Sequence, residues 1–563
     1  MPFSKFHEFI PKSYLYLTKG YKFSIFKKDL LAGITVGIIA LPLAMAFAIA
    51  SGVTPERGLY TAIIAGFLIS ALGGSRIQIG GPTGAFVVIV YGVIQRTGYS
   101  GLCMSMVIAA VILVLLGIFR IGSWIKYVPY PLITGFTTGI AVIIFSTQIK
   151  DFFGLQMGTP PADFTKQWLS YFDAFSTFNP STLSLSAGTL GVILLIRRFV
   201  PQIPWGICAI VFGTVLCTWL NLSVETIESR FGEIPRNLPI PSFPNFSIPT
   251  GQFKEIFING IVIAFLGSIE SLLSAVIGDG MIGGRHRSNC ELIAQGAANF
   301  GSVLFGGIPA TGAIARTAAN VKTGAKTPMA GMIHAFVLFL ILYCFAPLVS
   351  KIPLAALSAV LVMVSWNMSE MNHFIRLFRA PYEDRIILLT AFLLTVFVDL
   401  TVAISVGMIL ASFLFMKRMG QISKAVSLSQ IFNQPQVDFP EKKDPEDISK
   451  KVVPPGVEVY EIQGPFFFGA ANILRDLLIT PKATQKIFIL RMRAVPMIDA
   501  SGMYGLEEFY EQCKKRNIIL FLAEVNRQTK QHLKKFGLID TIGEQHIFSE
   551  IDAALVKAGH LLK

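Results

Sequence analysis

IQIGGPTGAF (residues 77–86) and LFGGIPATGAIAR (residues 304–316) each interrupt an apolar region of this 563-residue chain, and both run through paired glycines, a proline and then Thr-Gly-Ala. About 228 residues separate them, and each precedes an unusually short apolar segment. Matching interruptions in the two halves of a chain point to an internal transporter repeat whose binding site lies between broken helices. With seven apolar runs in each half, an odd number, the second half is inverted relative to the first. The expected membrane fold is an all-α bundle of fourteen spans, built as a seven-plus-seven inverted repeat with two half-helices meeting at the midplane.

A helix that starts after Pro82 or Pro309 presents unbonded backbone N–H groups and the positive end of its dipole near the middle of the bilayer. Gly84 and Gly312 let a ligand approach the backbone closely. Two such ends facing one cavity suit an anion. Arg316 falls one turn inside the second half-helix, where a charge is costly and marks function unless snorkelling or an ion pair accounts for it. Glu270 is the other ionisable group at depth, in NGIVIAFLGSIESLLSAVIGDG (residues 259–280), and Ser274 shares its helical face four residues on. An ionised carboxylate is costly there, so Glu270 reads either as a proton-exchanging coupling group or as a partner of Arg316. Asp399, in a short late run, reads as an interfacial or helix-end residue.

Composition agrees with a membrane protein. Hydrophobic residues make up 53% of the chain and charged residues 15%, against roughly 45–50% and 25% in soluble proteins. Apolar runs occupy about residues 30–50, 58–74, 82–95, 101–119, 127–149, 180–196, 203–221, 256–278, 289–305, 312–321, 329–349, 353–368, 386–400 and 402–416. The third, tenth, thirteenth and fourteenth fall short of the roughly 20 residues of a full crossing. The net charge of +14 is explained by basic anchors on alternate loops: Arg120 and Lys126, Arg197 and Arg198, Arg285 and Arg287, Lys322 and Lys326, then Arg376, Arg379 and Arg385. No nucleic-acid partner is implied. The positive-inside rule then places both termini in the cytoplasm, with the chain in the cell membrane. Residues 1–28 form a retained cytoplasmic tail, not a signal peptide. Six cysteines without CxxC spacing imply neither a disulfide framework nor a metal site, and nothing implies a cofactor. The sequence has no Walker loop, GxSxG or HExxH to support an enzyme, and a receptor has no need of two broken midplane helices.

Residues 29–418 thus form the transport region. A polar linker, 419–452, contains PEKKDPEDISKK, and the character then changes. VEVYEIQ, KIFILRM and IILFLAE are strand-like and alternate with helix-like segments around residues 470–479, 502–516 and 527–536. Residues 453–563 are expected to form a small α/β domain with a parallel or mixed sheet.

The chain resembles the sulfate permease (SulP) anion transporters over essentially its full length. GITVGIIALPLAMAFAIASGVTPERGLYTAIIAGFLISALGGS (33–75), the stretch from ESLLSAVIGDGMIGG to VKTGAKTP (270–328) and IDASG (498–502) carry the likeness. The resemblance implies a substrate site between spans three and ten, movement of a core against a gate, a homodimer, and a C-terminal STAS domain. By position it implies a substrate site of Phe47, Pro82, Thr83, Gly84, Ala85, Ala310, Thr311, Gly312, Ala313 and Arg316, with Glu270 as the coupling carboxylate beside Ser274. Sodium-coupled bicarbonate carriers of the family have Asp at the position of Glu270 and a threonine hydroxyl at that of Ile314. Isoleucine offers sodium no oxygen, so the comparison points to proton coupling. Ser501 stands where anti-sigma factor antagonists carry a phosphorylatable serine; its plain structural role is a helix N-cap. The function implied is secondary transport of sulfate, bicarbonate or a dicarboxylate together with a proton, with an anion exchanger or uncoupled channel as the competing reading. A nucleobase carrier would want a second carboxylate where this chain has Arg316.

Overall fold

The computed structural model describes residues 7–18, 20–161, 163–200, 204–243, 250–422, 424–427, 453–467, 474 and 486–563. Two compact units, Met1–Ala411 and Ser412–Lys563, divide the chain.

The first unit is helical: α1 (Lys12–Thr18), α2 (Phe23–Ala50), α3 (Pro55–Leu72), α4 (Gly84–Ile118), α5 (Tyr130–Phe153), α6 (Phe164–Ala174), α7 (Pro180–Phe199), α8 (Trp205–Trp219), α9 (Ile227–Phe231), α10 (Phe253–Ile282), α11 (Ser288–Leu304), α12 (Ile314–Lys322), α13 (Met329–Ser350), α14 (Leu354–Met368), α15 (Met371–Leu377), α16 (Tyr382–Phe397) and α17 (Leu400–Ile422). Two-residue strands, β1 (Gly80–Gly81) and β2 (Thr311–Gly312), precede α4 and α12. Each of the fourteen apolar runs falls on helix, with α4 divided at Gly98, whose φ of 69° breaks the helical path. Eight helical stretches among the described residues are long and apolar enough to cross a membrane. The fourteenth run is not short: α17 has 23 residues and continues through Lys417 and Arg418, because helix formation does not stop where apolar character does.

Sequence punctuation explains the ends. Proline opens α3 and α7, where its missing N–H costs nothing, and left-handed Gly154 and Gly283 close α5 and α10. Two packing groups result. In one, α4 lies against α10 and α11, and α13 lies against α2 and α3. In the other, α5 packs on α14 and α16, and α7 packs on α8 and α14. Small residues allow the close approaches that bind helices in lipid; a side chain at Gly58 of α3 would overlap the Ala44 carbonyl of α2.

The second unit is an α/β layer with strands β3 (Lys424–Ser427), β4 (Val457–Gln463), β5 (Ile487–Arg491), β6 (Ile519–Ala523) and β7 (Ile547–Phe548), adjacent in that order. β3 is antiparallel to β4, and the other pairs are parallel. The helices are α18 (Ala500–Lys515), α19 (Arg527–Phe536), α20 (Leu538–Ile542) and α21 (Ile551–Leu562). Alternation along the strands feeds two cores: Tyr460, Phe488 and Leu520 meet Leu506 and Phe509 of α18 on one face, while Val459, Ile489 and Phe521 meet Ala554 and Leu555 of α21 on the other. Burial of both faces makes the strands predominantly apolar, although β4 carries Glu458 and Glu461. β3 comes from the stretch expected to be linker. Most of that linker, and the helix expected around residues 470–479 apart from Leu474, lie outside the described residues.

Candidate functional site

The two sequence interruptions meet in space. β1 and β2 pair antiparallel, Gly80 opposite Gly312 and Gly81 opposite Thr311, so the chain crosses itself where both half-helices begin. Glycine is required at two of these places. Gly81 has φ of 145°, and a Cβ there would come within 2.6 Å of Arg316 Nη1; a Cβ at Gly312 would overlap the Gln78 amide. The pairing also explains why α12 starts at Ile314 and not directly after Pro309: residues 311–312 stay extended to complete the ladder, which Ala313 lengthens by donating its N–H to Ile79 O at 2.8 Å.

Neither half-helix has a side-chain cap. Thr83 and Ala313 occupy the N-cap positions in extended conformation. Thr83 Oγ1 is buried and has no partner among the described residues. Phe47 of α2, Ile144 of α5 and Met368 of α14 wall this end, with atoms 3.4, 3.2 and 3.1 Å from the position of a Cβ at Gly84. The α4 N-terminus therefore faces the seam between the two packing groups.

A polar network fixes the strands from behind. Gln78 Nε2 donates to Ser271 Oγ at 3.0 Å, Ile79 N donates to Thr317 Oγ1 at 3.1 Å, and Asn320 Nδ2 donates to Ile77 O at 2.8 Å. Thr311 Oγ1 donates to Gly267 O at 3.0 Å, and Asn299 both donates to and accepts from Ala310, each at 2.9 Å. Glu291, fully buried on α11, accepts from Gly74 N and Ser75 N and so sets the turn before β1. Such second-layer support holds a site's geometry.

Phe47, residues 82–85 and residues 310–313 all lie at this crossing and are buried. Arg316, 3% exposed, does not point out toward the seam. Its Nη2 donates back to Pro82 O, while Nη1 has no partner, so the guanidinium sits behind the α4 turn. Glu270 is buried on α10, and no ion pair among the described residues joins it to Arg316. Ser274 is hydrogen-bonded to Thr317 at 3.1 Å and ties α10 to α12. Asp399 accepts from Thr401 N at 2.6 Å and so starts α17, the helix-end role read from sequence. In the second unit Asp499, not Ser501, is the N-cap: Asp499 Oδ1 accepts from Gly502 N at 2.7 Å, and Ser501 is exposed. Glu291, Gln78, Ile144 and Met368 were not singled out in the sequence. Glu291 alone had a signal, as a carboxylate in an apolar run.

The crossing yields a prediction. Gly312→Ala is expected to abolish transport, because the new methyl group evicts the Gln78 amide from Ser271, and adding Gln78→Ala is expected to restore part of it. Uptake by membrane vesicles measures both; normal transport by the single variant would refute the requirement.

Crossed half-helices in a bundle of apolar helices, joined to an α/β unit, define a membrane transporter. The chain belongs to the sulfate permease family: residues 26–391 match that family and residues 449–554 match the STAS domain. It is 41% identical to "Putative sulfate transporter YvdB" of Bacillus subtilis (strain 168) over 536 residues, 95% of this chain and 98% of that one. It is 29% identical to the bicarbonate transporter BicA of Picosynechococcus, covering 96% of each chain. The structure of the murine Solute Carrier 26 family member A9 anion transporter in its inward-facing state has the same fold, with a TM-score of 0.84, 19% identity and coverage of 98% of this chain and 94% of that one. The transmembrane domain of a cyanobacterial BicA aligns at TM-score 0.61 and 31% identity, over 68% of this chain and 98% of that domain. The expected family, the helical membrane fold and the small sheet domain are borne out, and relatives of this kind are transporters, not enzymes.

Proposed function

We propose that this protein carries sulfate, bicarbonate or a dicarboxylate by secondary active transport, with a proton bound at Glu270 accompanying the anion. The observation that supports this most directly is the meeting of two uncapped helix N-termini at one crossing, beside the unpartnered Thr83 hydroxyl. The N–H groups and aligned dipoles there stabilise negative charge without burying a full cation in the path. Arg316 adds positive potential from behind the Pro82 carbonyl. Glu270, unpaired with that arginine, is free to exchange a proton, whereas an uncoupled channel has no use for a buried carboxylate. The similarity to proteins named for sulfate and for bicarbonate supports a small oxyanion or carboxylate.

Uptake of labelled sulfate, bicarbonate and succinate into proteoliposomes, with and without a pH gradient, tests the reading. Accumulation of at least one anion above its outside concentration is expected only when the lumen is more alkaline. Uptake that never exceeds equilibration would identify a channel, uptake needing only a counter-anion would identify an exchanger, and either result overturns proton coupling.

A further inference from the structure

His334 of α13 is completely buried, and neither Nδ1 nor Nε2 has a hydrogen-bond partner among the described residues. Buried polar groups in native proteins nearly always have one, and at membrane depth an unsatisfied imidazole is more costly still. Its surroundings show what it faces. The ring's Cε1 lies 3.7 Å from the position of a Cβ at Gly66 of α3, and that position is 3.1 Å from Gly80 O of β1. Arg316 Nη1, itself buried and unpartnered, lies 2.6 Å from the Cβ position of Gly81, which is 3.5 Å from Ala62 Cα of the same α3.

Ala62 and Gly66 are one turn apart on one face of α3, a rise of roughly 6 Å. The guanidinium and the imidazole thus occupy successive steps where β1 crosses α3, in room left by two small residues. Both groups border the same two-residue strand β1, and each has buried nitrogen without a partner among the described residues. The donor on one side and the ring nitrogen on the other match a single bridging water, which makes two to four such bonds where polar groups surround it.

We propose that His334 is a positioning residue of the transport site, holding the Arg316 guanidinium against Pro82 through a bridging water. The imidazole accepts at one nitrogen, the water accepts from Nη1, and the other fork of the arginine is thereby fixed on the carbonyl that leads into α4. This rests on the role given to Arg316 above.

The test compares KM for whichever of sulfate, bicarbonate and succinate the parent takes up fastest. His334→Leu, of similar volume but without polar atoms, is expected to raise KM about tenfold with little change in maximal rate. His334→Gln, which keeps a donor and an acceptor at that reach, should return it to within about threefold of the parent. In an Arg316→Lys background His334→Leu should add nothing further, since the fork it orients is gone. An unchanged KM in His334→Leu, or a full additive effect on Arg316→Lys, would overturn the proposal. Should His334→Leu not reach the membrane folded, His334→Gln and His334→Asn replace it: the shorter amide cannot span the gap, and equal KM values would refute the bridge. Arg316→Ala separates the two levels, because unchanged affinity there removes the binding role given to Arg316 above, whereas weakened affinity with an indifferent His334 removes only this inference.

Discussion

Arg316→Ala is expected to weaken anion binding roughly thirtyfold, read as KM for uptake into proteoliposomes, and Arg316→Lys is expected to weaken it by less. A hydrogen bond involving a charged group contributes about 2 kcal/mol, and each 1.4 kcal/mol is a tenfold change in affinity. Two things are lost together in the alanine variant. The positive potential behind the α4 N-terminus disappears, and Pro82 O is left buried without the donor that Nη2 supplies. Lysine keeps the charge but not the planar fork, so it retains potential while losing geometry. Thermal unfolding of the purified variants tells a general loss of stability from a local one. An alanine variant with intact folding and unchanged KM would mean that the helix ends alone bind the anion and that Arg316 is structural.

Glu270→Gln is expected to bind and exchange the anion yet fail to concentrate it. Glutamine has the shape of a protonated glutamic acid and cannot release the proton. No cation pairs with Glu270 among the described residues. An arriving anion therefore adds a second negative charge to the region that holds the unpaired Glu270, and a proton on Glu270 removes the conflict. By linkage the proton tightens the anion as much as the anion tightens the proton. For one proton per anion, a gradient of one pH unit stores about 1.4 kcal/mol and supports about tenfold accumulation. The parent should approach that ratio, whereas Glu270→Gln should stay near unity while still trading labelled for unlabelled anion between equal pools. Proton-driven accumulation that survives the substitution, or loss of binding altogether, would remove Glu270 from the coupling role.

The breaks at residues 77–86 and 304–316 were legible because Gly and Pro punctuate an apolar run in a way no other residue does. Their mutual pairing was not. Which strand meets which is decided by the whole bundle, and two residues of extended chain have no periodicity to read. The same holds for β3 and β7. Arg316 could be placed at depth by counting, but the turn of its side chain back to Pro82 depends on the glycine at 81, some 235 positions earlier. His334 illustrates a different limit: a single polar residue inside MAGMIHAFVLFLILYCF is visible, but a helix of nearly uniform apolarity does not reveal which way it faces. Ile144 and Met368 look like any other lipid or core residue until the seam they line is known. In the soluble unit, by contrast, β4, β5 and β6 were readable, since strands buried on both faces have a strong compositional signature.

The antiparallel pairing of Gly80–Gly81 with Thr311–Gly312 also sets a clock on biosynthesis. The first break leaves the ribosome long before its partner exists, and at roughly 5–20 residues per second the intervening stretch of about 230 residues takes on the order of ten to fifty seconds to make. For most of that interval the N-terminus of α4 has no strand to lie against, and the Gln78 amide, the Ile79 N–H and the Ile77 carbonyl lack the residues of α10 and α12 that later satisfy them. The nascent first half is a set of inserted helices with an unfinished centre. The binding site is thus completed only when the second half threads its own break across the first.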